Sequence, residues 1–553
     1  MTATSFTKIW ETDNPPSATW PLYTRGNVGE VFPEVVLPFS WDLIGGAAER
    51  GWRQAFEKMG LVADGDFPPD EDMIILGVFG GYCYINASYV RILGVRAPGG
   101  KVENIDHLFF GESDAPRYEA RKGDKNLKST ARLGMTVLKL LGTKSLPDLE
   151  TDKAKVERFV AKHPGDDASD EALMAYLRSF EGFFEHLFFR HIDNTFSNAL
   201  VSGALTDLVV KAGKPDLLVS VLGGIGDVES SAPAAAMWQL SRLPVDSHEY
   251  RAGFDRLITE HGTRGPNEWD LGSDPWAFRP EMATAAIDAM RGADDSHAPA
   301  AMTARLTEQR ERAIEEVRGE LNRIDRFQFD KALAATTLFS QARERSKTTV
   351  IRAIHAVRRA QRTLAERAAE RGGIDASGRD RWKTCTLNVA EFEQYLADPS
   401  SQLDTIADRV ELHAKLSSLT PPFILEGSVP SIDTWAPRDV AGPTLESGDS
   451  VQGIAGCPGV ARGRARVVLD AADPQGLGPG DVLIAPITDP SWTPLFLAAE
   501  AVVVDVGATM SHAVIVSREL GIPCVVSAVG ATTSIPDGAE IEVDGDTGRV
   551  TLL

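Results

Sequence analysis

The sequence predicts a multidomain protein with a mainly helical body and a small C-terminal α/β domain. Long helical patterns cover residues 170–214 and 301–371, the second of them almost without Gly or Pro. The stretch 425–450 is rich in Pro, Gly, Ser and Asp and has no apolar period, which is typical of a linker. We therefore predict a helical body at 1–424, a linker at 425–450 and a second domain at 451–553, which has a normal size for one domain.

The C-terminal domain alternates short apolar, β-branched runs with one helical run. Strands are predicted at Ala465–Leu469, Val482–Pro486, Ala501–Val506, Cys524–Val529 and Glu540–Val543. A helix is predicted at Ser511–Leu520, between the third and the fourth of these strands. Gly521 stands at its expected end, and Pro523 follows where the chain has left the helix. This order is typical of a small α/β domain.

Composition excludes several classes of protein. The chain of 553 residues has 57 Lys and Arg against 79 Asp and Glu, a net charge of −22, which argues against nucleic-acid binding. Its four cysteines are widely spaced and form no C-x-x-C pair, so we expect neither a disulfide framework nor a metal site. We find no signal sequence and no apolar run of about 18 residues, and therefore expect a cytoplasmic protein without membrane contact.

Two basic residues fall on the apolar face of the second long helix. At about 100° per residue, Lys347 and four apolar positions lie within about 40° of Arg343 on the helical circumference. Those apolar positions are Phe339, Val350, Ile354 and Val357. A charge on such a face has to reach solvent, pair with an opposite charge or line a cavity. The helix pattern alone leaves these three possibilities open for Arg343 and Lys347.

His512 is the residue that most clearly suggests chemistry. It follows a buried strand and a turn with Gly507, and lies in the first turn of the predicted helix, with Thr509 and Ser511 at positions suited to capping. The unpaired N–H groups and positive dipole of a helix start favour a phosphoryl group beside the ring, and neutral imidazole is a good nucleophile. From the local pattern alone, a histidine that merely caps or packs remains the alternative.

The segment VVDVGATMSHAVIVSRELGIPCVV (503–526) closely resembles the phosphohistidine swivelling domain of phosphoenolpyruvate-utilising enzymes. That family includes pyruvate phosphate dikinase, phosphoenolpyruvate synthase, rifamycin phosphotransferase and phenylphosphate synthase. Its pattern has a Gly-Gly turn, where this chain has Gly507-Ala508, then Ser-His and a helix that ends in Arg-Glu-x-Gly-Ile-Pro. Two further family stretches match: GCPGVARGRARVV from Gly456 and DVLIAPITDPSWTPL from Asp481. The resemblance implies that His512 carries a phosphoryl group.

The resemblance continues in the body. Residues 25–33, RGNVGEVFP, are similar to the start of the acceptor-binding part of rifamycin phosphotransferases, and 262–268, GTRGPNE, are similar to a second stretch of it. It implies substrate-binding roles for Asn27, Glu30, Arg264 and Glu268, and it places Arg343 and Lys347 opposite the phosphohistidine. For Arg264 and Glu268 a buried ion pair that fixes a loop remains the alternative, and for Asn27 and Glu30 a capping role. His191 and His261 are weak candidates for a general base.

The order of parts resembles the large subunit of phenylphosphate synthase. We find no G-x-x-x-x-G-K-[ST] motif, the acceptor-like motifs begin close to Met1, and only 41 residues follow His512, too few for a phosphoenolpyruvate-binding barrel. The resemblance therefore implies that Mg²⁺ and ATP are bound by an ATP-grasp-type partner subunit, in a heteromeric complex of aromatic catabolism. His512 would pass a phosphoryl group from ATP, which becomes AMP and phosphate, to a phenolic hydroxyl. A split rifamycin-type antibiotic phosphotransferase and a non-enzymatic phosphocarrier or regulatory protein are the alternatives.

Overall fold

The computed structural model describes residues 6–69, 71–110, 115–225, 232–376, 378–438, 444–471, 473–507 and 511–553. Over these ranges the chain forms the predicted helical body and the predicted C-terminal α/β domain. In this part of the chain no helix combines the length and the apolar character that crossing a membrane requires.

The body contains most of the helices and two small sheets. Its helices are α1 (Val28–Val31), α2 (Pro38–Met59), α3 (Ala87–Arg96), α4 (Val102–Phe110), α5 (Leu127–Leu141), α6 (Pro147–Ala161), α7 (Asp170–Arg178), α8 (Phe180–Lys211), α9 (Leu218–Leu222), α10 (Ala232–Ser241), α11 (His248–His261), α12 (Pro280–Ala289), α13 (Pro299–Glu320), α14 (Arg323–Glu370), α15 (Val389–Ala397) and α16 (Leu403–Ser417). Its strands are β1 (Leu22–Thr24), β2 (Leu76–Phe79), β3 (Tyr82–Asn86), β4 (Leu419–Thr420), β5 (Ile424–Glu426) and β6 (Ala436–Pro437). The first sheet has the order β2-β3-β1-β5, and β4 pairs with β6.

The long helix α14 is the central element of the body. The side chain of Asn322 caps its start by accepting from the backbone N–H groups of Ile324 and Asp325. Its buried face includes many alanines, among them Ala335, Ala342 and Ala353, and it packs mainly against α8. Small side chains allow two helices to approach closely, so this pair forms a rigid support. Arg343 and Lys347, the basic residues predicted on the apolar face, lie on this helix pair.

The C-terminal domain is built on one twisted sheet. Its strands are β7 (Ser450–Gln452), β8 (Ile454–Cys457), β9 (Val460–Val467), β10 (Asp481–Ala485), β11 (Ala501–Val504), β12 (Cys524–Val526), β13 (Glu540–Asp544) and β14 (Arg549–Leu552), in the order β7-β14-β13-β9-β10-β11-β12-β8. Its helices are α17 (Thr493–Phe496), α18 (His512–Leu520) and α19 (Ala531–Ser534). Strands β9 to β12 are parallel, and α18 crosses from β11 to β12. The five predicted strands and the predicted helix are confirmed; β7, β8 and β14 were not predicted.

The predicted linker is wrong over its first part. Ile424–Glu426 pairs with β1 as an edge strand, and the buried Trp435 packs against Tyr82, so both segments belong to the body. At its other end β7 begins at Ser450, one residue before the predicted start of the C-terminal domain. The connection between the two domains is therefore shorter than predicted, and residues 439–443 within it lie outside the described ranges. The amino-acid composition of 425–450 indicated an irregular backbone, but it could not show that the start of this stretch pairs with β1.

The C-terminal domain is docked on the body through a shared apolar core. Met237 of α10 and Trp276 of the body lie in one cluster with Phe496, Val514 and Leu520 of the C-terminal domain, and each of these side chains is less than a tenth exposed. Removing apolar surface from water stabilises such a contact at about 25 cal/mol per Å². Separation of the two domains would expose this apolar surface to water. Other contacts therefore have to offset that free-energy cost whenever the C-terminal domain leaves the body.

The end of α18 offers a test of local stability. Gly521 ends the helix with φ 65, a left-handed conformation that favours glycine. We expect Gly521→Ala to lower the free energy of unfolding by about 1 kcal/mol, measured by urea denaturation. Gly203→Ala is the matched control, because Gly203 lies exposed within α8 with nothing within 4 Å of an added Cβ. It should instead raise stability by about 0.5–1 kcal/mol, and equal effects of the two changes would contradict the explanation.

Candidate active site at the domain interface

His512 is the first residue of α18, at the carboxyl end of β11. The helix cap is Ser511, whose side chain accepts from the backbone N–H of Val514 at 3.4 Å. An added Cβ at Gly507 would lie 3.1 to 3.3 Å from Val526, Ser511 and Val504, which explains the glycine in the turn. Thr509 lies outside the described residues. The predicted place of His512 at a helix start is thus confirmed. This helix start lies at the carboxyl ends of the parallel strands, which is the edge where such sheets bind ligands.

Two buried threonines hold the imidazole ring of His512. Its Nδ1 lies 3.2 Å from Oγ1 of Thr488, and its Nε2 lies 3.2 Å from Oγ1 of Thr493. A neutral imidazole has one N–H and one lone pair, so one hydroxyl accepts from the ring and the other donates to it. Phe496 adds an edge contact at 5.9 Å between ring centroids. Both threonines lie in the stretch from Asp481 that resembles the family, but no local period in the sequence predicts their contact with the ring.

Three cations of the body surround the ring. Burial first, and then the positive charges of Lys347, Arg264 and Arg343, hold the pKa of His512 well below its usual range. The ring is therefore neutral at physiological pH, and its lone pair can attack phosphorus once the threonine hydroxyl that donates to it turns away. The same three cations are placed to neutralise phosphoryl oxygens on that ring. Arg343 and Lys347 lie on α14, as predicted, with their side chains about a quarter and a fifth exposed.

Glu268 links two of these cations. Its Oε1 accepts from Nη1 of Arg264 at 3.2 Å and lies 3.3 Å from Nζ of Lys347. The Glu268 side chain is buried, and Nη2 of Arg358 holds its loop by donating to the carbonyls of Glu268 and Asp270. The structure therefore contains the Arg264–Glu268 ion pair that the sequence left as an alternative. Lys347 joins this pair as a second cation on the same carboxylate. Glu268 positions the cations that face His512.

Each domain contributes one carboxylate that accepts a hydrogen bond from the backbone of the other domain. Oε2 of Glu30, from the body, accepts from the backbone N–H of His512 at 2.9 Å. Oδ2 of Asp489, from the C-terminal domain, accepts from the backbone N–H of Asn267 at 3.1 Å. Burial is the largest cause that raises the pKa of Glu30 to about 8 and that of Asp489 to about 6. Because both pKa values are raised in the docked state, docking of the unphosphorylated domain is favoured as pH falls through them.

Within the described residues none of the other sequence candidates forms a hydrogen bond with His512. Asn27 is exposed at the start of α1 with φ 75, and its side chain does not cap that helix. His191 lies near Trp269 with Nδ1 3.2 Å from Oγ of Ser346, and burial lowers its pKa to about 3. His261 ends α11 on the body, with Nε2 4.0 Å from a carboxylate oxygen of Glu260. Within the described ranges no group of three or more His, Cys, Asp or Glu side chains is arranged to hold a metal ion.

Two segments of the chain match known families. Residues 477–548 match the mobile domain of PEP-utilising enzymes, and residues 190–348 match the fourth domain of rifampicin phosphotransferase. The first segment contains His512, and the second contains Arg343 and Lys347. The two matches therefore meet at the interface described above.

Curated relatives agree with these matches. An uncharacterized protein of Mycobacterium tuberculosis is 26% identical over 98% of this chain and 63% of its own length. A rifampicin phosphotransferase of a Streptomyces species is 30% identical over 57% of this chain and 36% of its own length. An uncharacterized phosphotransferase of Bacillus subtilis is 33% identical over 34% of this chain and 23% of its own length.

The chain thus spans less than two thirds of each of these relatives. The chain is thus similar in one segment to the mobile domain of PEP-utilising enzymes and in another to the fourth domain of rifampicin phosphotransferase, which supports a relation to phosphotransferases of that architecture.

Proposed function

We propose that the protein carries a phosphoryl group on His512 from Mg·ATP, bound by an ATP-grasp-type partner subunit, to a phenolic hydroxyl held by the helical body. One observation carries the proposal. The neutral ring of His512 lies docked against the body among Arg343, Lys347 and Arg264. This arrangement supports transfer from the histidine to a hydroxyl, because phosphoryl transfer depends mainly on positioning and on neutralising charge.

In the first half-reaction the C-terminal domain leaves the body and presents His512 to the partner. The lone pair of the ring attacks the β-phosphorus of ATP, and AMP and phosphate are released once water has taken the γ-phosphoryl group. For this step the chain contributes a nucleophile that is mostly deprotonated already, since an imidazole with an ordinary pKa is largely neutral at physiological pH. The crossing contacts of Glu30 and Asp489 break at this stage and form again on return.

In the second half-reaction the phosphorylated domain docks again, as in the structure. The phosphoryl group then adds two negative charges beside Arg343, Lys347 and Arg264, which favour it electrostatically. The start of α18 adds the positive end of its dipole. A phenol, with a pKa near 10, requires only modest help to lose its proton in this step.

A hydroxyl of an antibiotic is the second candidate acceptor. The match of residues 190–348 to a rifampicin phosphotransferase domain favours it, since this segment contains the larger part of α8 and the basic residues Arg343 and Lys347 of α14. A chase of the phosphorylated protein with phenol and, separately, with rifampicin distinguishes the two acceptors. A phosphorylated protein that releases its group to neither would favour the phosphocarrier alternative.

Dependence on the partner gives a direct prediction. Because the proposal assigns Mg·ATP to a partner subunit, the purified 553-residue chain is expected to form no AMP from ATP, with or without Mg²⁺. AMP formation, followed by ion-exchange chromatography, should appear only when an ATP-grasp subunit is added. Steady AMP production by the pure chain would contradict the assignment of the nucleotide to a partner.

A further inference from the structure

We infer that Glu30 is the general base that accepts the proton of the acceptor hydroxyl when the phosphoryl group leaves His512. The inference rests on the proposed function of His512. It assigns the proton acceptor of this step to a residue other than His191 and His261, the two weak candidates that the sequence offered.

The first argument is position. Glu30 lies on the short helix α1 of the body, and its Oε2 is 2.9 Å from the backbone nitrogen of His512. Among the described residues it is the carboxylate in direct hydrogen-bond contact with His512. The contact exists only in the docked state, because Glu30 belongs to the body and His512 to the C-terminal domain. A base in this place is available for transfer to the acceptor and absent during the loading of His512.

The second argument is that the neighbouring carboxylates are already engaged. Glu268 is paired through its Oε1 with Arg264 and Lys347, and its buried Oε2 has no hydrogen-bond partner among the described residues. Asp489 accepts from the backbone and side chain of Ser491 and from Asn267. Oε1 of Glu30 has no hydrogen-bond partner within the described part of the chain, while its Oε2 is fixed by His512. Unlike Glu268, Glu30 forms no ion pair among the described residues. Glu30 therefore has one oxygen that anchors it and one that can receive a proton.

The third argument is basicity. The groups that face Glu30 are the backbone N–H of His512 on α18 and the cations Arg343 and Lys347 on α14; they lower its pKa, but burial outweighs them and raises it to about 8. A base works best when its pKa lies near the working pH. The pKa of His191 is about 3, so its ring is a much weaker proton acceptor. This difference favours Glu30 over the histidine that the sequence suggested.

The step balances as follows. The hydroxyl oxygen of the acceptor attacks phosphorus, and its proton moves to Oε1 of Glu30. The P–N bond breaks and its electron pair returns to the ring nitrogen of His512. The other ring nitrogen keeps its hydrogen, so the ring leaves neutral. The product is a phosphate monoester, and Glu30 gives its proton to solvent after the domain has moved away.

The test uses Glu30→Gln in the full chain, loaded with β-labelled ATP by the partner subunit. The amide oxygen of Gln can still accept from the N–H of His512, so docking is retained, but the side chain cannot take up a proton. We expect normal labelling of His512 and transfer to phenol about 10²–10⁴ times slower than in the wild type. In the wild type the transfer rate should rise with pH until about 8, and this dependence should be lost in the variant.

The acidity of the acceptor separates a base from a merely structural residue. The defect of Glu30→Gln should be large with phenol and small with 4-nitrophenol, which is already largely ionised near neutral pH. The rate at which His512 loses its label without added acceptor gives a further comparison of Glu30→Gln with the wild type. In that reaction water supplies the attacking hydroxyl. Glu34→Gln is the matched control, since Glu34 follows on the same segment and pairs at the surface with Arg438. It should behave as the wild type.

The possible failures are distinguishable. If the wild type takes no label, the proposed function fails and the role of Glu30 falls with it. If His512 is labelled but phenol accepts nothing from the wild type, the phenolic acceptor is wrong and the water comparison still tests Glu30. Equal rates for Glu30→Gln and the wild type with phenol and water, reduced labelling of the variant, or an equal defect with both phenols would overturn the inference.

Discussion

Replacing His512 with alanine is expected to abolish phosphorylation of this chain. With the proposed ATP-grasp partner and ATP labelled at the β-phosphorus, the wild type should acquire an adduct that is labile in acid and stable in base, as expected of phosphohistidine. The variant should acquire none, because the ring held by Thr488 and Thr493 is the proposed nucleophile. Gel autoradiography after acid and alkaline treatment measures the effect.

His248→Ala is a closely matched control. His248 also begins a helix, α11, directly after a serine whose side chain caps that helix, but His248 is exposed. Its replacement should leave labelling unchanged. Label on the His512→Ala protein, or loss of label in the His248→Ala protein, would show that the phosphorylated residue has been misassigned.

This pair of histidines also shows what a local pattern can and cannot indicate. Both have Ser-His at a helix start, so capping and helix dipole alone do not separate them. Resemblance to a known family distinguished them in the sequence. In the structure the distinction is physical: His512 has both ring nitrogens in contact with threonine hydroxyls and three cations of another domain around it.

Elements with a strong local period were predicted well. The strands and helix of the C-terminal domain carry β-branched runs and a clear helix end at Gly521, and the structure contains them. The shared orientation of Arg343 and Lys347 followed from the 3.6-residue period of one long helix. Such features depend on neighbours within a few turns, which the sequence displays directly.

Contacts between distant segments were not predictable in the same way. The hydrogen bond from His512 to Glu30 joins residues 482 positions apart, and the bond from Asn267 to Asp489 joins residues 222 positions apart. The strand at Ile424–Glu426 was mistaken for linker because its partner, β1, lies about 400 residues earlier in the chain. No local period encodes these pairings, since they arise only when the domains and sheets assemble.

Replacing Lys347 with alanine is expected to slow transfer from His512 to the acceptor by about 10²–10³, which is roughly 3–4 kcal/mol in activation free energy. Lys347 contributes to the field at both His512 and Glu30, and it belongs to the body, so labelling of His512 by the partner should be nearly normal. Single-turnover chase of the labelled protein measures the transfer rate. Lys331→Ala, at an exposed lysine of the same helix, should have no effect.

A structural role is the competing explanation, because Lys347 also pairs with the buried Glu268. Leaving a buried charge without any partner typically costs about 3–5 kcal/mol of stability. Here Arg264 remains bound to Glu268 after the change, so we expect a clearly smaller loss in a thermal melt. Slow chase with a nearly unchanged melt supports neutralisation of the phosphoryl group by Lys347. A large drop in melting temperature with a normal chase rate in the folded protein would instead show that Lys347 serves to pair Glu268, and Arg343 and Arg264 would be left as the cations that act on the phosphoryl group.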